Sequence, residues 1–466
     1  MAQIAWLGKK SPFCGNVSYG ISTTEALRKR GHQVHFIHFD NPRSPERDNT
    51  SLLANDPDVS LPYLVKSQVY TIPSPGAQRE LRESLERLQP DLVHASLTLS
   101  PLDFRLPELC QQLGVPLVAT FHPPFDAGLR NLTAGTQQLT YQLYAPALAR
   151  YDRVIVFSQL QADFLERLGV PADRLTVIPN GVDPDRWCPT SPGTLSLMHQ
   201  QVRQRLGRER IFLYMGRLAT EKNVEALLRA WRLVSPEGCR LVIVGDGPLR
   251  NSLMNQFNDD RILWWGHEPD LDTRVALLQC AEVFILPSLV EGLSLALLEA
   301  MASGTACVAT DAGADGEVLE QGAGIVLSTQ GVTTQLRTLL PVLRDQPVLT
   351  AELGRKARLR ALERYTISSN IDALEQLYAD LMQTSTVFGG WRDAPASDLG
   401  QVGDDGYYQI NIAYFQPSAT TAEPRYEIKF AMQRNGLVRE YEINYGDFSI
   451  TAELTSAESV NAPQCS

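Results

Sequence analysis

Cysteine is sparse and scattered. The seven cysteines, at positions 14, 110, 188, 239, 280, 307 and 465, form no C-x-x-C pair and have no histidine-rich segment beside them. That spacing predicts neither a disulfide framework nor a structural zinc site, and a reducing cytoplasm is the simple compartment. Long apolar runs are also missing, since none reaches the ~18 residues of a membrane-spanning helix. The opening MAQIAWLGKK sets its basic pair behind a short apolar run, the reverse of a secretory leader, so no leader is expected. Positive charge is scarce near the end. Residues 388–466 hold 5 Lys and Arg against 11 Asp and Glu, over half of the net charge of −11. A tail of that sign repels nucleic acid and anionic lipid, so no nucleic-acid partner is expected. Residues 1–190, with 18 basic against 19 acidic residues, are the half left for any peripheral membrane contact.

What is present is an α/β grammar written twice. Ile4–Gly8, Val34–Phe39, Asp91–His94, Pro116–Thr120 and Arg153–Phe157 are short buried-strand patterns separated by helical ones, the first helix covering 18–30 and closing at Gly31. Residues 192–200 read as a linker. The pattern then restarts with Ile211–Gly216, Leu241–Gly245, Ile262–Trp265, Val283–Leu286 and Ala306–Thr310, and one or two helices over 352–383 close it. Alternation of this kind implies parallel sheets with right-handed crossovers. Two Rossmann-like domains are expected, at 1–190 and 200–385, with the last helices able to pack back on the first domain. Beyond them Tyr407–Phe415 and Tyr426–Ala431 alternate polar and apolar, and Asn435-Gly436 is a hairpin turn. Residues 388–466 therefore read as a small antiparallel β appendage of unassigned role.

The chemistry concentrates after strands of the second domain. In Pro287–Ala302 a strand ends, a turn follows and a helix begins near Ser294. The backbone N–H groups of Gly292, Leu293 and Ser294 would then lie at a helix N-terminus, which suits a diphosphate, with Gly292 allowing close approach. Glu291 lies on the turn. Glu299, on an apolar helix, needs a partner that sugar hydroxyls would supply; the plainer alternative is a helix capped by Ser294 with Glu299 exposed. On the loop after Ile211–Gly216, Arg217 and Lys222 present a planar fork and a point charge, fit for two phosphates or simply solvated.

Glu291 and Glu299, with seven residues between them and followed by Ala-Met-Ala, resemble the E-x7-E signature of glycosyltransferase family 4, retaining enzymes of the GT-B fold. That resemblance extends over residues 1–385. It implies that Glu291 contacts the transferred sugar and Glu299 the nucleotide ribose. It also implies that Arg217 and Lys222, after Gly216, stabilise charge growing on the β-phosphate without a metal or other cofactor; no D-x-D stands at a strand end. The turn Gly245-Asp246-Gly247 corresponds to one beside the donor pocket. His267, after Trp265-Gly266, is a wall residue near the base or a loop histidine without a role. His122, in Thr120-Phe121-His122, resembles the family's T-x-H element, whose His contacts the donor sugar's 6-hydroxyl and lines the reaction centre; the plainer alternative is a buried, satisfied histidine, and His94 is a weaker candidate. The first turn carries Gly15-Asn16 where the family has a Gly-Gly pair; Asn tolerates left-handed angles, so the turn could survive. Asn180-Gly181-Val182-Asp183 resembles a structural turn with Asn180 able to line the cleft.

The resemblance implies a nucleotide-sugar donor, UDP-galactose or UDP-glucose, and a hydroxyl acceptor. The run Trp6–Asn16 together with the β-rich tail resembles the cyanobacterial digalactosyldiacylglycerol synthase branch, which implies a lipid acceptor, monogalactosyldiacylglycerol, at a membrane surface. The stretch Leu129–Leu148, with helically spaced Tyr, Leu and Ala, could dock on lipid or pack on the first domain. Alternatives are a family 4 transferase acting on a polysaccharide or soluble acceptor, a non-catalytic sugar-nucleotide-binding protein, and a sugar-nucleotide epimerase.

Overall fold

The computed structural model describes residues 1–11, 14–40, 58–67, 70–125, 132–190, 195–234, 236–389, 409–417, 426–434, 437–446 and 449–454. Residues 1–389 form one compact unit and 390–466 a second.

The first half supplies β1 (Gln3–Gly8), β2 (Gln33–Phe39), β3 (Val59–Leu61), a two-stranded hairpin of β4 (Tyr63–Lys66) and β5 (Thr71–Pro73), then β6 (Leu92–Ser96), β7 (Leu117–Thr120), β8 (Arg153–Val156) and β9 (Leu175–Val177). Except for the hairpin, these make one parallel sheet in the order β3-β2-β1-β6-β7-β8-β9. The second half repeats the plan with β10 (Arg210–Met215), β11 (Cys239–Val244), β12 (Ile262–Gly266), β13 (Val283–Leu286), β14 (Ala306–Thr310) and β15 (Ile325–Leu327), ordered β12-β11-β10-β13-β14-β15. Central strands such as β1, β10 and β13 are buried almost throughout, because helices cover both faces of a parallel sheet.

The central strands were legible, but β3, β9 and β15 were not. Each is three residues long, at or near a sheet edge, and too short to show a period. The first helix starts at Gly15, three residues earlier than expected, and Leu197–Leu206 is a helix where part of a linker was expected. Its Ser196 cap accepts from the His199 N–H, a signal that the surrounding Ser and Gly residues obscured. The helix Leu132–Leu148 buries Tyr141, Tyr144 and Leu148 and exposes Leu139 and Leu143, so one face packs while the other meets solvent; Leu129 lies outside the described residues. No described helix is long and apolar enough to cross a membrane.

The final helix, Ile367–Gly389, reaches back to the first sheet: the Tyr378 hydroxyl lies 2.5 Å from His94 Nδ1, and Glu375 meets both Arg30 and His32. The second unit is an antiparallel sheet of β16 (Gln409–Pro417), β17 (Tyr426–Arg434), β18 (Leu437–Gly446) and β19 (Ser449–Leu454) in sequential order. Its expected Asn435-Gly436 turn lies outside the described residues.

Candidate functional site

In each large sheet the chain leaves the central strand in opposite directions: β1 lies between β2 and β6, and β10 between β11 and β13. At such a switch point adjacent loops diverge and open a crevice at the carboxyl ends of the strands. The two crevices meet in a cleft of about 930 Å³. Its walls hold His122, Arg217, Lys222 and Glu291, together with Gly15, Asn16, Gly216, Gly245, Asp246, Gly247, His267, Gly292, Leu293, Ser294 and Glu299. These residues, all read from the sequence, therefore lie on one surface. Asn180 joins them; His94 does not.

The two halves touch at the floor. Phe125 donates its backbone N–H to the Glu291 carbonyl at 2.8 Å, and Asn180 Nδ2 donates to the Leu293 carbonyl at 2.9 Å. A Cβ on Gly292 would come within 3.2 Å of the His122 carbonyl. Gly292 is thus small because the other half presses on it. The glycine turn has a similar cause: a Cβ on Gly245 would lie 1.9 Å from the Gly216 carbonyl oxygen, so the two phosphate-side loops interlock backbone to backbone.

Three ion pairs lie in the cleft. Glu291 is buried, and its Oε1 accepts from Lys222 Nζ at 2.5 Å and from Ser288 Oγ at 2.7 Å. Arg217 pairs with Glu221, four residues on, and the Tyr214 hydroxyl donates to the Arg217 carbonyl at 2.8 Å. Glu299 accepts from Arg274 Nη2 at 2.8 Å. Burial pushes the Glu299 carboxyl up, and Arg274 pulls it back. Ser288, Glu221 and Arg274 were not singled out from the sequence. Arg274 lies 25 positions from its partner on another helix, and nothing local marks it.

Three expectations change. Ser294 does cap the helix Leu295–Ala302, its Oγ accepting from the Leu297 N–H, but Glu299 is not exposed. The Ser294 N–H does not face a diphosphate, because Asp315 Oδ1 takes it at 2.9 Å. That leaves the amides of Gly292 and Leu293, which have no acceptor among the described residues. Asn16 does not occupy a left-handed turn: it is the second residue of the helix Gly15–Lys29, and neither it nor Gly15 has a positive φ. Its side chain points inward instead, donating to the Leu97 carbonyl at 2.9 Å and accepting from Ser96 Oγ at 2.8 Å.

The histidines separate by environment. His122 lies at the cleft wall with Nε2 2.8 Å from Ser96 Oγ, its ring held edgewise by Tyr19 and tilted against Phe157. Burial, with Lys9 adding repulsion, pushes its imidazole down to about 3. His94 stacks on Trp6, and its two nitrogens meet Tyr378 and Thr120, so it is a satisfied core residue. His267 is exposed at the rim.

A model of glycosyltransferase family 4 matches residues 17–186, one of the glycosyl transferases group 1 matches 209–344, and an EipB-like model matches 357–461. Over 233 residues the chain is 29% identical to the UDP-Gal:alpha-D-GlcNAc-diphosphoundecaprenol alpha-1,3-galactosyltransferase of Escherichia coli, covering 47% of this chain and 57% of that protein. It is 30% identical over 303 residues to a glycogen synthase of Mycobacterium tuberculosis, covering 62% of this chain and 69% of that one. Among solved structures, Anabaena HepE in complex with UDP-glucose superposes with a TM-score of 0.66 at 17% identity, over 82% of this chain and all of that one. With both halves recognised in order and two sheets facing a shared cleft, the chain belongs to the glycosyltransferase family 4/group 1 proteins of GT-B fold.

Proposed function

We propose that this chain is a retaining hexosyltransferase that uses UDP-galactose or UDP-glucose. The observation that carries this reading is the convergence of Arg217, Lys222, Glu291, Glu299 and His122 in one cleft from loops of both halves. In our reading the diphosphate lies between the amides of Gly292 and Leu293 and the cations Arg217 and Lys222, with Glu299 toward the ribose. The bond from the anomeric carbon to the β-phosphate oxygen breaks, and the acceptor oxygen bonds that carbon on the same face. The acceptor proton passes to the departing phosphate oxygen, giving UDP and the glycoside. Fixed cations, in place of a metal, stabilise the charge that grows on the phosphate, while Glu291, held by Lys222 and Ser288, orients the sugar.

The acceptor in this reading is a glycolipid, monogalactosyldiacylglycerol, giving digalactosyldiacylglycerol at a membrane surface. Exposed Leu139 and Leu143 on the acceptor half favour it, as does the lipid-linked acceptor named for the Escherichia coli relative. Transfer to a polysaccharide is the second reading, favoured by the likeness to a glycogen synthase. A UDP-release screen of sugar nucleotides, against galactolipid vesicles and soluble sugars, separates them. Release that needs the lipid supports the first reading. Full activity on soluble glucan with no preference for lipid removes it, and no release with any pair removes the transferase itself.

A further inference from the structure

We propose that Asn16 and Ser96 are positioning residues that lock His122 in the tautomer with its proton on Nε2. Nδ1 then offers the cleft a pure acceptor that selects a ligand hydroxyl. The argument is one of donor and acceptor accounting. A backbone carbonyl can only accept, so the Asn16 group 2.9 Å from the Leu97 carbonyl is its NH2. Its oxygen is thereby turned toward Ser96 Oγ, 2.8 Å away. Ser96 has a single proton, and that contact uses it; otherwise two oxygens would face each other with no proton between them. The remaining contact, Ser96 Oγ to His122 Nε2 at 2.8 Å, then requires His122 to donate.

The ring is neutral, because burial and Lys9 disfavour its charged form. A neutral imidazole with its proton on Nε2 has only a lone pair on Nδ1. Nδ1 has no partner among the described residues, and His122 lines the cleft. Tyr19, at a ring-centroid distance of 5.0 Å, and Phe157, at 5.2 Å, fix the plane of the ring. A ligand atom opposite Nδ1 must donate. A hydroxyl does; a carboxylate or ether oxygen at that point is repelled, and a methyl leaves the lone pair unpaired.

That the ligand group is a sugar hydroxyl rests on the transferase reading; the tautomer does not. The test uses the full chain labelled with 15N at histidine, near neutral pH. Two-bond proton–nitrogen correlation reports which imidazole nitrogen carries the proton, and the His122 signal is assigned by its loss in His122→Gln. Wild type should show the proton on Nε2. Ser96→Ala should mix the tautomers and Ser96→Thr should restore the wild-type pattern. A proton on Nδ1 in wild type, or no change in Ser96→Ala, overturns the lock. The wild-type spectrum decides even if that variant does not fold.

The second arm measures kcat/KM for UDP-hexoses deoxygenated at each hydroxyl in turn. One position should carry a penalty of about tenfold or more in wild type, as for a lost hydrogen bond, and lose most of it in Ser96→Ala. Transfer with no position sensitive to Ser96→Ala overturns the selectivity. Absence of transfer from every donor instead overturns the functional reading and leaves the spectrum to decide the tautomer.

Discussion

Asp315 Oδ1 accepts the backbone N–H of Ser294 at 2.9 Å, while its buried Oδ2 has no partner among the described residues. The carboxyl thus props the turn that carries Glu291 from behind. Burial, and then the nearby Glu291 charge, hold its pKa well above the ordinary carboxylate range.

That shift has a sign that stability measurements can read. Unfolded, the group titrates near ~3.9; folded, it keeps its proton to higher pH, so the folded state binds more protons. Stability therefore falls as pH rises from about 4 toward the folded value, by up to ~1.4 kcal/mol per pH unit. Asp315→Asn keeps an acceptor for Ser294 and removes the titration. Its melting temperature should gain on wild type as the pH rises above about 4; parallel curves would refute the assignment.

Arg274 and Glu299 are a mostly buried pair, with side-chain exposures of 19% and 12%. Arg274→Ala leaves a buried carboxylate unpaired and should cost roughly 3 kcal/mol in denaturant unfolding. Replacing both residues with apolar ones should recover most of that loss. A single variant as stable as wild type would show that the pair contributes nothing.

For the chemistry, Lys222→Ala and Arg217→Ala should each lower turnover by ~10²–10³, as removal of a fixed electrostatic stabiliser does. Glu221→Gln, which only releases Arg217 from its neighbour, should have a far smaller effect. Initial rates of UDP release measure all three, and near-normal kinetics in both cation variants would sink their proposed roles.

Two glycines, one packed against the Glu291 backbone and one lining the cleft, should respond in opposite ways. Gly313 has a φ of +57°, and a Cβ there would lie 2.0 Å from the Glu291 carbonyl oxygen, so Gly313→Ala should lower the melting temperature sharply. Gly15 is the first helical residue, and a Cβ there meets nothing within 4 Å. Gly15→Ala should leave thermal stability unchanged or raise it by about 0.5–1 kcal/mol. Similar losses in both would mean that Gly313 is not specially constrained.

Much of the site could be read from the order of residues because its parts are strand–turn–helix junctions. In β13, the turn and the helix after it, apolar period, turn glycine and Ser294 cap lie within 20 residues, and such signals are local. Arg217 and Lys222 were legible for the same reason. Ser288 was within reach too, as a small polar residue three positions before Glu291, but nothing in the spacing said that its hydroxyl turns to that carboxylate.

The amino-acid order by itself determined two α/β halves, the strands at their centres and which loops leave the carboxyl ends of those strands, because hydrophobic period and turn chemistry act over a few residues. Only the tertiary structure decided who partners whom. Asp315 takes the Ser294 amide, Arg274 takes Glu299, and Asn16 turns inward to Ser96 in place of opening a glycine-like turn. Each of these contacts joins residues 21 to 80 positions apart. They form because a buried polar group must find its complement wherever packing brings one within ~3 Å, and sequence distance carries no record of that.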